Sequence, residues 1–179
     1  MEKQVLLKDQ ELERTITRIA REIAEKGERI EELVLLGIRS RGVYLVQRIA
    51  QAIEASTAVL PYFSQIDITS YRDDVGSKAD FAPAHVDVTI DDKTVVLIDD
   101  VINTGRTIRA ALELVTQLGK PRKILVAALV DRGSRELPIR ADIVGKNIQV
   151  GDSERINVLL KECDGVDRVT VTSRTASTS

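Results

Sequence analysis

Three uninterrupted apolar runs, LVLLGI at 33–38, TVVLID at 94–99 and KILVAALV at 123–130, constrain this chain more than any other feature of it. A strand with one face in water alternates apolar and polar residues, so a run without alternation reads as a strand covered on both faces. The first run leads through the polar turn RSRG into the helical pattern VYLVQRIAQAIEA. The second leads into TGRTIRAALELVTQLG, a helix stopped by Gly119 and Pro121. A further helix is expected at 9–26, with Leu12, Ile16, Ile19 and Ile23 on one stripe and Asp9 as its N-cap, and a strand around 62–70. Strands alternating with helices imply an α/β fold, a mainly parallel sheet flanked by helices, in which ligands gather at the carboxyl ends of the strands. Beyond Val130 the pattern weakens into short strands and turns, expected to form a small C-terminal cap. With 179 residues there is enough chain for one full core and too little for two. We therefore expect one domain over 1–172, with an aperiodic, mobile loop at 70–88 and a disordered tail at 173–179.

Composition removes several kinds of chemistry. Lys and Arg number 26 against 28 Asp and Glu, so nothing global attracts DNA or an anionic membrane, and any polyanion site must be a local patch. No run approaches a membrane span and the charged start lacks the apolar core of a secretory signal, which points to a cytoplasmic protein. One cysteine, Cys163, excludes an intrachain disulfide. One histidine, His85, excludes a histidine metal cluster and argues against a Ser-His-Asp triad. Aromatics at 3% argue against a sheet that stacks RNA bases on exposed rings. Whatever chemistry occurs here rests on carboxylates, arginines and backbone.

VVLIDDVINTGRT, residues 95–107, places such groups where a parallel sheet would use them. Residues after the strand feed the N-terminus of the next helix, where unpaired N–H groups and the helix dipole favour a phosphate. Gly105 allows close backbone approach and the hydroxyls of Thr104 and Thr107 donate to phosphate oxygens. Asp99 and Asp100 then fall at a distance suited to ribose hydroxyls or a hydrated Mg²⁺. Any one feature alone reads as a helix cap or a solvated strand end; together they describe a ribose 5-phosphate site. It is not a P-loop, because no Gly-Lys-Ser/Thr follows the strand.

IDDVINTGRT resembles the phosphoribosyl pyrophosphate (PRPP) motif of type I phosphoribosyltransferases. The resemblance implies that fold, and 5-phosphate binding over Val101, Ile102, Asn103, Thr104, Gly105, Arg106 and Thr107. It implies a pyrophosphate loop after the first core strand, a position occupied by GIRSRG, with Arg39, Ser40 and Arg41 as contacts; alone, that segment reads as a basic turn opening a helix. YRDD at 71–74 would open a loop that closes over substrate, with Arg72 on pyrophosphate. The implied reaction is displacement of pyrophosphate by a base nitrogen, with Mg²⁺ and arginines on the leaving group and Asp99, Asp100 and Arg72 as catalytic residues. Asp99 and Asp100 would hold the metal through water or ribose.

TRIAREI, GIRSRGVYL, DITSYRDD and DRGSRELPIRADIVGKN extend the similarity over nearly the whole chain, to the bacterial family of bifunctional pyrimidine-operon attenuators and uracil phosphoribosyltransferases. That family binds pyrimidine-operon leader mRNA in response to uridine nucleotides (UMP, UTP) and converts uracil and PRPP to UMP and pyrophosphate. It implies a base pocket with Asp131, Arg132 and Ile156, and a homodimer or higher homo-oligomer. Residue types alone leave uracil and a purine both open, so a salvage enzyme for uracil or a 6-oxopurine without RNA binding is the alternative. Arg14, Arg18 and Arg21 share one helical face, an ordinary solvated arrangement with Glu13, Glu22 and Glu25 available to pair. The family's RNA-contacting positions match Thr17, Arg18, Arg21, Arg135, Arg140 and Lys146, which would neutralise phosphates and bind unstacked bases. The same resemblance implies a dimer, across which this patch, split between the N-terminal helix and the 135–146 segment, could become continuous.

Overall fold

The computed structural model describes residues 3–72 and 86–173. Most of the loop expected at 70–88 (residues 73–85, including His85) and nearly all of the expected tail (174–179) therefore lie outside the described residues.

Five strands form the central sheet: β2 (Leu33–Ile38), β3 (Tyr62–Ile66), β4 (Thr94–Ile102), β5 (Lys123–Asp131) and β6 (Ile143–Asn147), all parallel, in the order β3-β2-β4-β5-β6. Period two divides each strand between two cores. Leu33 and Leu35 of β2 with Val96 and Ile98 of β4 pack on the side of α1 (Asp9–Gly27) and α2 (Gly42–Thr57). Val34, Leu36, Val95 and Leu97 point the other way, into Ile108, Ala111, Leu114 and Val115 of α3 (Arg106–Leu118). Both faces are therefore covered, which is why β2 is buried along its whole length.

A second sheet of three antiparallel strands, β1 (Lys3–Lys8), β8 (Arg168–Ser173) and β7 (Glu154–Leu159), sits over the first cluster, with the single turn α4 (Lys161–Asp164) between β7 and β8. The expected cap is thus not purely C-terminal. Its outer strand comes from the N-terminus, and β6, expected among the cap strands, joins the main sheet instead through the parallel register of Ala127 with Ile143 and Val130 with Lys146.

Three boundaries also move. Lys8, not Asp9, caps α1, and its N–H donates to Glu11 Oε2 at 3.0 Å. The strand expected to reach 70 ends at Ile66, because Asp67 Oδ1 accepts the Thr69 N–H at 3.0 Å and turns the chain into the 3-10 turn Thr69–Tyr71. β4 runs on through Asp99 and Asp100 to Ile102.

Candidate active site

The carboxyl ends of β2 and β4 converge on a cleft of about 460 Å³ bounded by Arg41 and Asp100 on one side and by residues 155–159 of β7 with Thr170 and Thr172 of β8 on the other. The geometry starts from two glycines. A Cβ on Gly37 would stand 2.2 Å from the Gly42 carbonyl oxygen, and one on Gly42 would stand 2.8 Å from that of Ile98, so the chain leaves β2, turns through Arg39, Ser40 and Arg41, and returns into α2 in close backbone contact. A pocket of about 240 Å³ opens against Arg39, Ser40 and Arg41, closed by Tyr44, Gln65 and Cys163.

Arg41 is already engaged: its guanidinium donates to the Asp164 carboxylate of α4 at 2.9, 3.2 and 3.3 Å. Donating these hydrogen bonds to the Asp164 carboxylate raises the Arg41 pKa. Arg39 makes a looser ion pair, 3.6 Å from Asp67, with both side chains half exposed.

The acid pair divides between two environments. Asp99 is only 5% exposed and its carboxyl is pushed well above the usual range, first by burial and then by the adjacent Asp100 charge, with Arg72 acting in the opposite direction. Its Oδ1 accepts the Asp100 N–H at 2.9 Å, while Asp100 Oδ1 accepts the Val101 N–H at 2.9 Å. Asp100 lines the cleft and Asp99 lies behind it. Among the described residues no three acidic, histidine or cysteine side chains cluster as a metal cage. A divalent ion that keeps its waters and takes most of its ligands from a phosphate substrate needs only one or two carboxylates, and Asp100 fits that use.

Beyond the acids, Asn103, Thr104 and Gly105 turn the chain into α3. Gly105 adopts φ +92°, a left-handed conformation that a side chain would strain. The first N–H groups of α3 are left unclaimed by the helix itself, and Thr104 Oγ1 accepts the Arg106 N–H at 3.3 Å. The loop after β5 folds over this turn. The Glu136 and Leu137 N–H groups donate to the Thr104 carbonyl at 3.0 and 3.2 Å, and Arg106 pairs with Glu136 at 2.8 Å.

The side chains expected in the base pocket distribute differently. Ile156 lines the cleft. Asp131 accepts the Gly133 N–H at 2.8 Å and the Arg135 guanidinium at 2.6 Å, and Arg132 donates to the Gly151 carbonyl at 3.0 Å; both therefore shape the loop beside the cleft and are outside its lining. Sequence reading passed over Arg155, Asn157, Thr170 and Thr172. Only the antiparallel register, which sets Arg155 opposite Thr172 and Asn157 opposite Thr170, brings them together.

Of the basic positions, Arg18 donates to Glu22 at 2.9 Å and to the carbonyls of Val144 and Gly145 on β6, and the Lys146 amine donates to the Leu6 carbonyl at 3.3 Å. α1 and β6 thus meet within one chain, which brings Arg18 beside the strand that carries Lys146. Thr17 turns its hydroxyl to the Glu13 carbonyl at 3.0 Å. Arg21 and Arg140 are exposed. Arg135 is not, at 19% side-chain exposure with each of its three guanidinium nitrogens donating internally, to Asp131, Asn103 and Ile139. That correction takes Arg135 off the basic surface and makes it a brace.

The phosphoribosyl transferase domain model matches residues 4–161. The chain is 50% identical over 173 residues to the bifunctional protein PyrR of Chloroflexus aurantiacus, covering 95% of this chain and 94% of that one. It is 47% identical to the bifunctional protein PyrR of Clostridioides difficile, covering 96% and 98%. Among solved structures, the hypoxanthine phosphoribosyltransferase of Trypanosoma cruzi superposes with a TM-score of 0.75 at 18% identity, covering 95% and 96%, a likeness of fold. A hypoxanthine-guanine phosphoribosyltransferase of Bacillus anthracis gives 0.72 at 19%, covering 97% and 99%. No helix among the described residues is long and apolar enough to cross a membrane.

Proposed function

We propose, because this chain belongs to the phosphoribosyltransferase family and within it to the bifunctional PyrR proteins, that it is a pyrimidine-operon attenuator that binds leader mRNA in response to uridine nucleotides and also transfers phosphoribose from PRPP to uracil. The observation that carries the enzymatic half is the cleft in which Arg41 and Asp100, delivered by two adjacent parallel strands, face the strand that holds Ile156.

In this reading the 5-phosphate sits on residues 101–107, at the N-terminus of α3 and on the Thr104 and Thr107 hydroxyls. Arg39, Ser40 and Arg41 hold pyrophosphate, and Arg72, whose charge already acts on Asp99, adds its guanidinium to it. Asp100 orients the ribose hydroxyls, and Asp99 fixes Asp100 through its N–H. Mg²⁺, when bound with PRPP, supplies neutralisation of charge on the departing pyrophosphate. No side chain has to shuttle a proton through a histidine; positioning and charge carry the rate. The base lies against β7, an edge strand whose second side is unpaired among the described residues and offers backbone donors and acceptors to a planar heterocycle. The protein acts in the cytoplasm as a homodimer or larger homo-oligomer.

The regulatory half rests on the full-length identity and on the basic α1 and β6 surface. A filter-binding titration against a pyrimidine-operon leader hairpin, with and without UMP and at two salt concentrations, tests it, run beside a PRPP turnover assay with uracil and hypoxanthine. Tight, salt-sensitive, UMP-enhanced binding together with preference for uracil is expected. RNA binding no better than to an unrelated hairpin, or faster turnover with hypoxanthine, would make this a salvage enzyme instead.

A further inference from the structure

The pyrophosphate loop and the wall of the base cleft are joined by a bridge that the proposed reaction does not itself require. α4 lies in the connection between β7 and β8, the two strands that line the cleft. Its Asp164 takes Arg41 side-on: Nε and Nη2 both donate to the carboxylate, Nη2 to each of its oxygens. Asp164 is itself pinned, since its Oδ2 accepts the Leu160 N–H at 2.8 Å. Seven residues along α2, on the same helical face, Arg48 grips Glu162 at 2.5 and 2.7 Å and Asp167 at 2.8 and 3.0 Å. The 160–167 turn thus holds α2 at two points, and Arg41 is the one that reaches the ligand space, lining both the cleft with Asp100 and the pocket with Arg39 and Ser40.

We propose that Asp164 is a positioning residue, holding the Arg41 guanidinium by its Nε and Nη2 edge so that the remaining Nη1 donors are aimed at the pyrophosphate of PRPP. The inference rests on the assignment of the 39–41 loop to pyrophosphate. Its physical basis is the entropy of a long side chain. A free arginine gives up its rotamer freedom when an anion orders it, and one already ordered by a fixed carboxylate has less to lose. The bridge has a second consequence. A base seated on β7 and a pyrophosphate held by Arg41 are read by one rigid body, because the turn that holds Arg41 is continuous with the strand under the base.

The alternatives make opposite predictions. If Asp164 merely competed with the ligand, removing its charge would free Arg41 and strengthen PRPP binding. If it were only a brace for the turn, its loss would resemble loss of Arg48, lowering stability with PRPP and uracil constants moving together.

Steady-state kinetics on the full-length parent, Asp164→Ala, Asp164→Glu and Arg48→Met proteins separate these. The expected result is a rise in KM for PRPP of roughly 5- to 30-fold in Asp164→Ala with KM for uracil within about twofold, corresponding to 1–2 kcal/mol at 1.4 kcal/mol per tenfold. Partial recovery is expected in Asp164→Glu, and a lower melting temperature with nearly unchanged KM for PRPP in Arg48→Met. An unchanged or lowered KM for PRPP in Asp164→Ala, or equal changes for both substrates, would overturn the proposal. A parent without uracil-dependent PRPP turnover would instead overturn the proposed function. If Asp164→Ala fails to fold, equilibrium pyrophosphate binding to Asp164→Asn, expected to be weakened, decides the question in its place.

Discussion

Arg135 and Asp131 meet at 2.6 Å across one turn of the loop that follows β5, and the same guanidinium reaches the carbonyls of Ile139 at 2.6 Å and Asn103 at 2.8 Å. One side chain therefore joins the loop beside the cleft to the turn that would carry the 5-phosphate. Its surroundings are those of a brace, since each donor group has a fixed internal acceptor and little solvent reaches it.

Replacing Arg135 by Met removes these three bonds and leaves Asp131, at 14% exposure, without its cation. We expect a loss of about 2 kcal/mol of stability and a melting temperature lower by roughly 4–8 °C, together with a raised KM for PRPP. Thermal melts and PRPP kinetics check this. Full stability and turnover with only RNA affinity lost would return Arg135 to the RNA surface.

The RNA surface itself is tested by residues without internal duties. Arg21 and Arg140 are exposed, whereas Arg18 and Lys146 also donate to backbone carbonyls. Arg21→Ala and Arg140→Ala should each weaken leader RNA binding and reduce the slope of log K against log salt by about 0.7–1, while leaving uracil turnover and melting temperature unchanged. Filter binding at several salt concentrations measures the slope. Unaltered slopes in both would remove these positions from the interface.

Much of the architecture was legible because it is local. Unbroken apolar runs set β2, β4 and β5, and the helical patterns after the first two set α2 and α3, since burial on both faces leaves a direct signature in the residues themselves. The turn into α3 was legible for the same reason, Asn103, Thr104 and Gly105 being consecutive in sequence. What escaped is non-local. β1 pairs with β8, whose residues lie more than 150 positions away, so no window of sequence contains the pair. Thr170, Thr172 and Asn157 face the cleft only through strand register, and Asp164 meets Arg41 from 123 residues away. The acidic stretch KECDGVD offered a hint, three carboxylates in seven residues, without saying which arginines they hold. Asp99 and Asp100 were legible as a pair, whereas their separation into a buried and a cleft-lining carboxylate depends on how the end of β4 is covered.

That separation gives a pH prediction. In the folded protein burial raises the Asp99 pKa above its ordinary 3.8, so between 3.8 and the folded value the native state keeps a proton that the unfolded chain has lost. Stability therefore falls as pH rises through this window and stays at the lower level above it. Asp99→Asn should be more stable than the parent near neutral pH, by roughly 0.5–2 kcal/mol, with the gain shrinking toward pH 4. Turnover should fall, because Asn at this position changes the support beneath Asp100. Denaturant unfolding at a series of pH values is the measurement, and a pH-independent difference would mean that Asp99 is ionised throughout.

Arg48 and its two acids titrate in the opposite sense. For Asp167, 8% exposed, burial is the largest influence and acts upward, but hydrogen bonds from Arg48 and the Lys161 N–H outweigh it, so the pKa ends below 3.8. For Glu162 the Arg48 hydrogen bonds come first and hold it below 4.5. Both groups stay ionised in the folded protein at pH values where they would be protonated in the unfolded chain. Their contribution is complete above these ordinary values and is lost as pH falls through the depressed folded ones. Asp167 should supply most of it, because Glu162 at 35% exposure is screened by solvent. Arg48→Met should cost about 2 kcal/mol at pH 7, since it strands a nearly buried carboxylate. The gap between parent and variant should then narrow as pH drops below about 4, because protonation of Asp167 relieves the variant while it weakens the parent. Urea unfolding of both proteins between pH 3 and pH 7 would follow that convergence, and parallel curves would mean that the clasp contributes through packing of the Arg48 stem instead of through its charge.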